Sequence, residues 1–123
     1  SGVSFSPEGD LLAIGSAEGG PDSTVQIWNL KKNAPVQEMK VGHRVEMILF
    51  SPSGKRVMIA QGRYPQSPGG VEVWSIDSAE KIITLEKQTA SIAQMAYSPK
   101  TRLMVTSNRK GDLRLLRFAR IDR

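Results

Sequence analysis

Three tripeptides constrain this chain more than any other feature. Phe5-Ser6-Pro7, Phe50-Ser51-Pro52 and Tyr97-Ser98-Pro99 each place an aromatic, a serine and a proline in the same order, 45 and then 47 residues apart. A period of this size marks a repeat architecture, in which one supersecondary unit is copied and stacked on its neighbours. The 123 residues are therefore read as three successive copies of one unit.

Each tripeptide is followed by turn residues: Glu8-Gly9-Asp10, Ser53-Gly54-Lys55 and Lys100-Thr101-Arg102. Proline presets φ for a tight turn, and glycine takes the positive φ in the first two. Each tripeptide thus ends a first strand. Short apolar runs follow, Leu11 to Ser16, Val57 to Gln61 and Leu103 to Ser107, bounded by polar or glycine-rich loops as buried strands are. A third run follows each loop: Thr24 to Trp28, Gly70 to Trp74 and Asp112 to Leu116. Val25, Val71 and Leu113 share one slot, and Ile27, Val73 and Leu115 another. Gln26, Glu72 and Arg114 fall on the opposite side, the alternation that a period of two requires. In the first two copies a polar turn leads to a weaker run, Val36 to Val41 and Lys81 to Glu86, read as fourth, outer strands. Helical spacing of Ile82, Leu85, Ile92 and Met95 offers a helix over Ser78 to Ser98 as the alternative. The repeat register places two strands there instead.

This grammar resembles WD40 repeats, the units of a large class of β-propellers. The resemblance rests on four short strands per repeat, the aromatic-Ser-Pro corner, Val-x-Ile-Trp in the third strand, and Gly42-His43 just before a first strand. It covers nearly the whole chain and implies an all-β, partial propeller of three antiparallel blades, the last lacking its outer strand. Blade 1 spans about residues 1–43, blade 2 about 44–89 and blade 3 about 90–118, with a basic tail at 119–123. It also implies structural roles for Trp28, Trp74, His43, Phe5, Phe50 and Tyr97. Two departures stand out. Trp28-Asn29, Trp74-Ser75 and Leu116-Arg117 replace the family's Trp-Asp, and the loops Ala17 to Ser23 and Gln61 to Gly69 are long. With one histidine and no aspartate in the second copy's loop, the family's His, Ser, Asp and Trp network is expected to be incomplete in every blade.

Propellers typically close with four to eight blades, so three leave an open arc. Each open flank would expose about four large apolar side chains at about 2 kcal/mol each, about 8 kcal/mol in all. A whole domain's net stability is about 5–15 kcal/mol. Further blades are expected, either from a longer polypeptide, the preferred reading, or from other chains.

Catalysis finds little support. Cysteine is absent, and His43 stands alone, without a second histidine or carboxylate cluster for a metal site or triad. No serine sits in a Gly-x-Ser-x-Gly elbow. Gly62 to Gly70 lacks a Gly-Lys-Ser/Thr ending and leads into a strand, so no phosphate cradle is expected. No cofactor, metal or membrane association is expected, and the compartment is not legible. Protein partners are. The resemblance places loops between second and third strands, and links between blades, on one rim. Arg44, Arg63, Tyr64, Lys87, Arg109 and Lys110 are candidate partner-binding residues there, opposed by Glu18, Asp22 and Glu46. Residues 100–123 hold eight of the 17 basic side chains in a chain of net charge +5. Arg114, Arg117, Arg120 and Arg123, spaced by three, form either a basic stripe on a short helix or a solvated tail. The expected function is a non-enzymatic protein-interaction scaffold. The alternative is an RNA- or ribosome-associated surface built from the basic rim and C-terminal region.

Overall fold

The computed structural model describes residues 2–16, 22–61, 69–88 and 92–117, and among them every regular element is a strand. Blade 1 comprises β1 (Val3–Phe5), β2 (Leu11–Gly15), β3 (Thr24–Asn29) and β4 (Ala34–Lys40). Blade 2 comprises β5 (Val45–Phe50), β6 (Arg56–Gln61), β7 (Gly69–Ser75) and β8 (Glu80–Gln88). Blade 3 comprises β9 (Ile92–Ser98), β10 (Leu103–Asn108) and β11 (Leu113–Arg117), three strands where the others have four. Every neighbouring pair is antiparallel and in chain order. The helical alternative over Ser78 to Ser98 is replaced by β8 and β9, because the ladder to β7 and β10 outweighs local spacing.

The serine of each corner explains the tripeptide. Ser6 is buried, donates its hydroxyl to Asp10 Oδ1 (2.7 Å) and accepts the Leu11 N–H (3.0 Å). Ser51, also buried, accepts the Arg56 N–H at 3.2 Å. In both places the serine just past the first strand satisfies the donor that opens the second strand, while Gly9 and Gly54 take φ of 77° and 76°. Blade 3 solves the turn differently. Its closing hydrogen bond reaches one residue further, from Arg102 N–H to Ser98 O (2.8 Å) where Gly9 and Gly54 bond Ser6 and Ser51, and Arg102 itself adopts φ of 58°.

The core lies between blades, as two layers. In the first, Val25, Ile27 and Met39 of blade 1 meet Ile48, Phe50, Val57, Ile59 and Trp74 of blade 2. In the second, Met58, Ala60, Val71 and Val73 of blade 2 meet Ile92, Met95 and Met104 of blade 3. One face of each blade therefore packs on the opposite face of the next, and β7 is buried on both sides: Val71, Glu72, Val73 and Trp74 are all below a tenth exposed. Gly2 and Gly15 allow the closest approach in the first layer. A Cβ on Gly2 would lie 2.8 Å from Val45 Cγ1, and one on Gly15 3.2 Å from the same methyl. Outside the apolar layer, Gln37 Nε2 of blade 1 donates to the Ile76 and Asp77 carbonyls of blade 2.

The outer flanks complete the pattern by contrast. Leu113 and Leu115 of blade 3 occupy the slots of Val71 and Val73, yet they are 73% and 65% exposed where the valines are sealed. On blade 1, Val3 and Phe5 are 59% and 64% exposed. Phe5 thus departs from the structural role expected of it, while Phe50 in the same slot is buried. The corner is the same, but no described residue packs over Phe5's face as blade 1 packs over Phe50's. Each flank thus presents slots that the chain buries elsewhere between its own blades.

Candidate functional site

Antiparallel order sends the corners 6–10, 51–55 and 99–102 to one end of the blades. The β2–β3, β6–β7 and β10–β11 connections go to the other, together with the β4–β5 and β8–β9 links. That second end is the rim on which the candidate residues were expected. In blade 1 it is tied down at Ser23, a buried residue whose carbonyl accepts the N–H groups of Val41 (3.0 Å) and Gly42 (3.1 Å). In blade 3 it is the turn that carries Arg109 and Lys110. Asn108 holds this turn through its Oδ1, which accepts the N–H of Lys110 (2.9 Å) and of Asp112 (3.1 Å), and Gly111 takes φ of 88°. Arg109 and Lys110 are thus exposed on a turn closed from inside, an arrangement that lowers the ordering cost of binding.

The rim is less basic than its arginine count implies. Arg109 Nη2 lies 2.8 Å from Glu46 Oε1, and Arg44 Nε lies 3.6 Å from Glu46 Oε2. One carboxylate therefore serves two guanidinium groups and joins the start of β5 to the blade 3 turn. Both arginines remain at least half exposed, so each pair stabilises by about 0.2–1 kcal/mol. Lys87 lies near the end of β8, opposite Gly70 in the ladder. Arg63 and Tyr64 fall outside the described residues, as do Arg120, Arg123 and Glu18. Arg114 and Arg117 do not form a helical stripe. They stand on β11 opposite Thr106 and Leu103, and residues three apart on a strand point to opposite faces.

Beneath the rim lies a polar tie that sequence reading missed. His43 Nε2 is 3.0 Å from Glu72 Oε1, the same oxygen accepts the Trp74 indole N–H at 2.9 Å, and Lys81 Nζ is 3.5 Å from Oε2. In blade 2 His43 and Trp74 are joined through a glutamate on the third strand, where the family's set has an aspartate that this chain lacks. His43 Nδ1 faces the Arg44 carbonyl at 3.1 Å. Burial pushes the Glu72 carboxyl up. The hydrogen bonds from His43 and Trp74 and the charges of His43 and Lys81 outweigh it and hold the carboxyl below its ordinary range. Blade 1 carries the neutral version, with Trp28 N–H donating to Gln26 Oε1 at 3.1 Å. The signal was present: a polar residue two places before each tryptophan lies on the tryptophan's own face of the strand. Trp74 packs in the core, whereas Trp28 on the open flank is half-buried. His43, just before β5, reaches Glu72 on β7. No group of three or more His, Cys, Asp or Glu side chains that could hold a metal occurs among the described residues.

Comparison with known proteins matches this architecture. The model of a family described as eukaryotic translation initiation factor eIF2A matches residues 2–117. WD repeat-containing protein slp1 of Schizosaccharomyces pombe is 26% identical over 112 residues, 89% of this chain and 22% of the relative. Eukaryotic translation initiation factor 3 subunit I of Lodderomyces elongisporus is 26% identical over 91 residues, 74% of this chain and 26% of the relative. A chain of the crystal structure of the mitotic checkpoint complex superposes with a TM-score of 0.80 at 26% identity, covering 96% of this chain and 37% of that one. The chain thus spans about a quarter of the length of these two curated relatives.

Proposed function

This chain belongs to the eukaryotic translation initiation factor eIF2A family, and from that premise we propose that it is a rigid, non-enzymatic platform for protein partners in translation initiation. Its fold is that of WD40-type propeller blades, completed in the proposed assembly by further blades on both flanks. The observation that carries the reading is the division of labour across the blades. Apolar layers lock neighbours together, while the rim presents Arg44, Arg109 and Lys110 on connections tied from within. A surface that keeps its shape while a partner docks spends little binding energy on ordering.

The competing reading is an RNA-binding surface. Glu46 argues against it at this rim, because the carboxylate that pairs Arg44 and Arg109 also repels phosphate. Sedimentation separates the two. The intact protein is pelleted with purified small ribosomal subunits and, separately, mixed with naked ribosomal RNA. Association with subunits, lost when Arg44, Arg109 and Lys110 are changed to Glu and absent with naked RNA, supports the platform. Equal binding to naked RNA that falls steeply with salt overturns it in favour of the RNA surface. Binding to neither overturns both.

A further inference from the structure

The end of the blades opposite that rim carries a second surface, and we propose that it docks an acidic peptide segment bearing one apolar anchor residue. The three aromatic-Ser-Pro corners converge there on a cleft of about 320 Å³, lined by Pro7, Leu49, Phe50, Pro52, Tyr97 and Pro99. The volume lies at the small end of the range for binding pockets and suits a leucine or aromatic side chain. Phe50 forms the buried part, and the three prolines stand exposed around it. Each proline restricts its own turn, so the lining loses little freedom when covered.

Charge identifies the occupant. Lys55, Lys100 and Arg102 stand exposed on the corners that flank Pro52 and Pro99, and none of them enters an ion pair among the described residues. Residues 51–56 and 98–103 contain no acidic side chain. At the blade 1 corner stand Glu8 and Asp10, the latter accepting the Ser6 hydroxyl. The cleft is therefore apolar in the middle and cationic toward blade 3, and it orients a ligand with its carboxylates at that end. A second copy of this chain fits poorly, because its net charge is +5. Further blades stack on the flanks, not across the corners. Readout of a nucleobase by hydrogen bonding is poorly served, because the corner serines already accept backbone donors: Ser51 Oγ accepts the Arg56 N–H, and Ser98 Oγ accepts the Thr101 N–H.

The inference takes from the platform reading only that the partner is a protein. Its test is fluorescence anisotropy on the intact protein, using a fluorescein-labelled Gly-Ser peptide that carries a single leucine with four glutamates on one side of it. The expected result is saturable binding, weakened about tenfold by the double variant Lys100→Glu, Arg102→Glu. Pro52→Ser, which trims the cleft lining at an exposed turn, should weaken it as well, with unchanged circular dichroism in both variants. Changing Arg44, Arg109 and Lys110 to Glu should leave it intact, so loss of subunit pelleting and loss of peptide binding are separate failures. Absence of saturable binding overturns the proposal, as does binding that survives both corner variants or is matched by the same peptide with lysines in place of glutamates. Tighter binding of a ten-nucleotide uridylate oligomer at the corners overturns it in favour of RNA.

Discussion

One slot of the repeat offers an internal control on the whole architecture. Ile27, Val73 and Leu115 are equivalent by register, but Ile27 and Val73 are fully buried, each in a layer between blades, whereas Leu115 is 65% exposed on the open flank. Truncating each to alanine should therefore give three different costs for nearly the same chemistry. Ile27→Ala deletes three buried carbons and leaves a cavity, costing about 3–4 kcal/mol within the 2–5 kcal/mol range for such changes. Val73→Ala deletes two and should cost about 2 kcal/mol. Leu115→Ala deletes three carbons worth about 0.8 kcal/mol each if buried, but only about a third of that surface is covered and no cavity results, so about 0.8 kcal/mol is expected. Urea unfolding followed by the fluorescence of Trp28 and Trp74 measures all three, with unchanged m-values confirming that the unfolded states are comparable. For residues 1–123 by themselves a Leu115→Ala cost above about 2 kcal/mol would refute the reasoning, whereas in an assembly that supplies the next blade the cost should rise toward that of Ile27→Ala. Repeating the Leu115→Ala melt at tenfold dilution shows whether a second molecule covers it, since only association makes stability depend on concentration.

Removing the carboxylate of the blade 2 tie by Glu72→Ala strands the Trp74 and His43 donors and should cost about 3 kcal/mol in the same assay. Glu72→Gln keeps an acceptor for Trp74, as Gln26 does for Trp28, and should cost about 1 kcal/mol. The pH dependence follows from the lowered Glu72 carboxyl. Its contribution is present above the unfolded carboxylate's pKa of about 4.3 and is lost as pH falls through the lower folded value. Melting temperature should therefore drop more between pH 6 and pH 3 in the native chain than in Glu72→Gln; equal drops would count against this assignment. Gly2→Val should destabilise by about 1–3 kcal/mol, because even its Cβ would lie 2.8 Å from Val45 Cγ1. Combining it with Val45→Ala should recover part of that loss, and a strictly additive double variant would show that the two blades do not meet there.

Most strand positions were legible because two signals agreed along the chain: the 45- and 47-residue spacing of the corners and the period-two alternation in the third strands. Agreement between a local and a repeat-level pattern is what allowed β8 and β9 to be chosen over a helix whose spacing was also satisfied. Alternation placed Glu72 on Trp74's face of the strand but did not bring His43 and Lys81 to it, since it says only which side of the strand a residue faces. Whether that side meets water or another blade depends on stacking. The Arg44, Glu46 and Arg109 cluster was hidden for a related reason, as Glu46 and Arg109 lie 63 positions apart and meet only when blade 3 packs on β5.

From residue order alone came the β class, the unit and its three copies, all of which depend on near-neighbour chemistry: corner turns, alternation and the period. The tertiary structure decided what that order leaves degenerate. Identical slots became sealed or exposed according to the presence of a neighbouring blade, as Val73 and Leu115 show. The rim arginines came to share one carboxylate, and three distant prolines came to border a single cleft. Burial, ion pairing and cavities depend on which surfaces are brought within a few ångströms of each other, and in a repeat protein the same short sequence meets different surroundings in each copy.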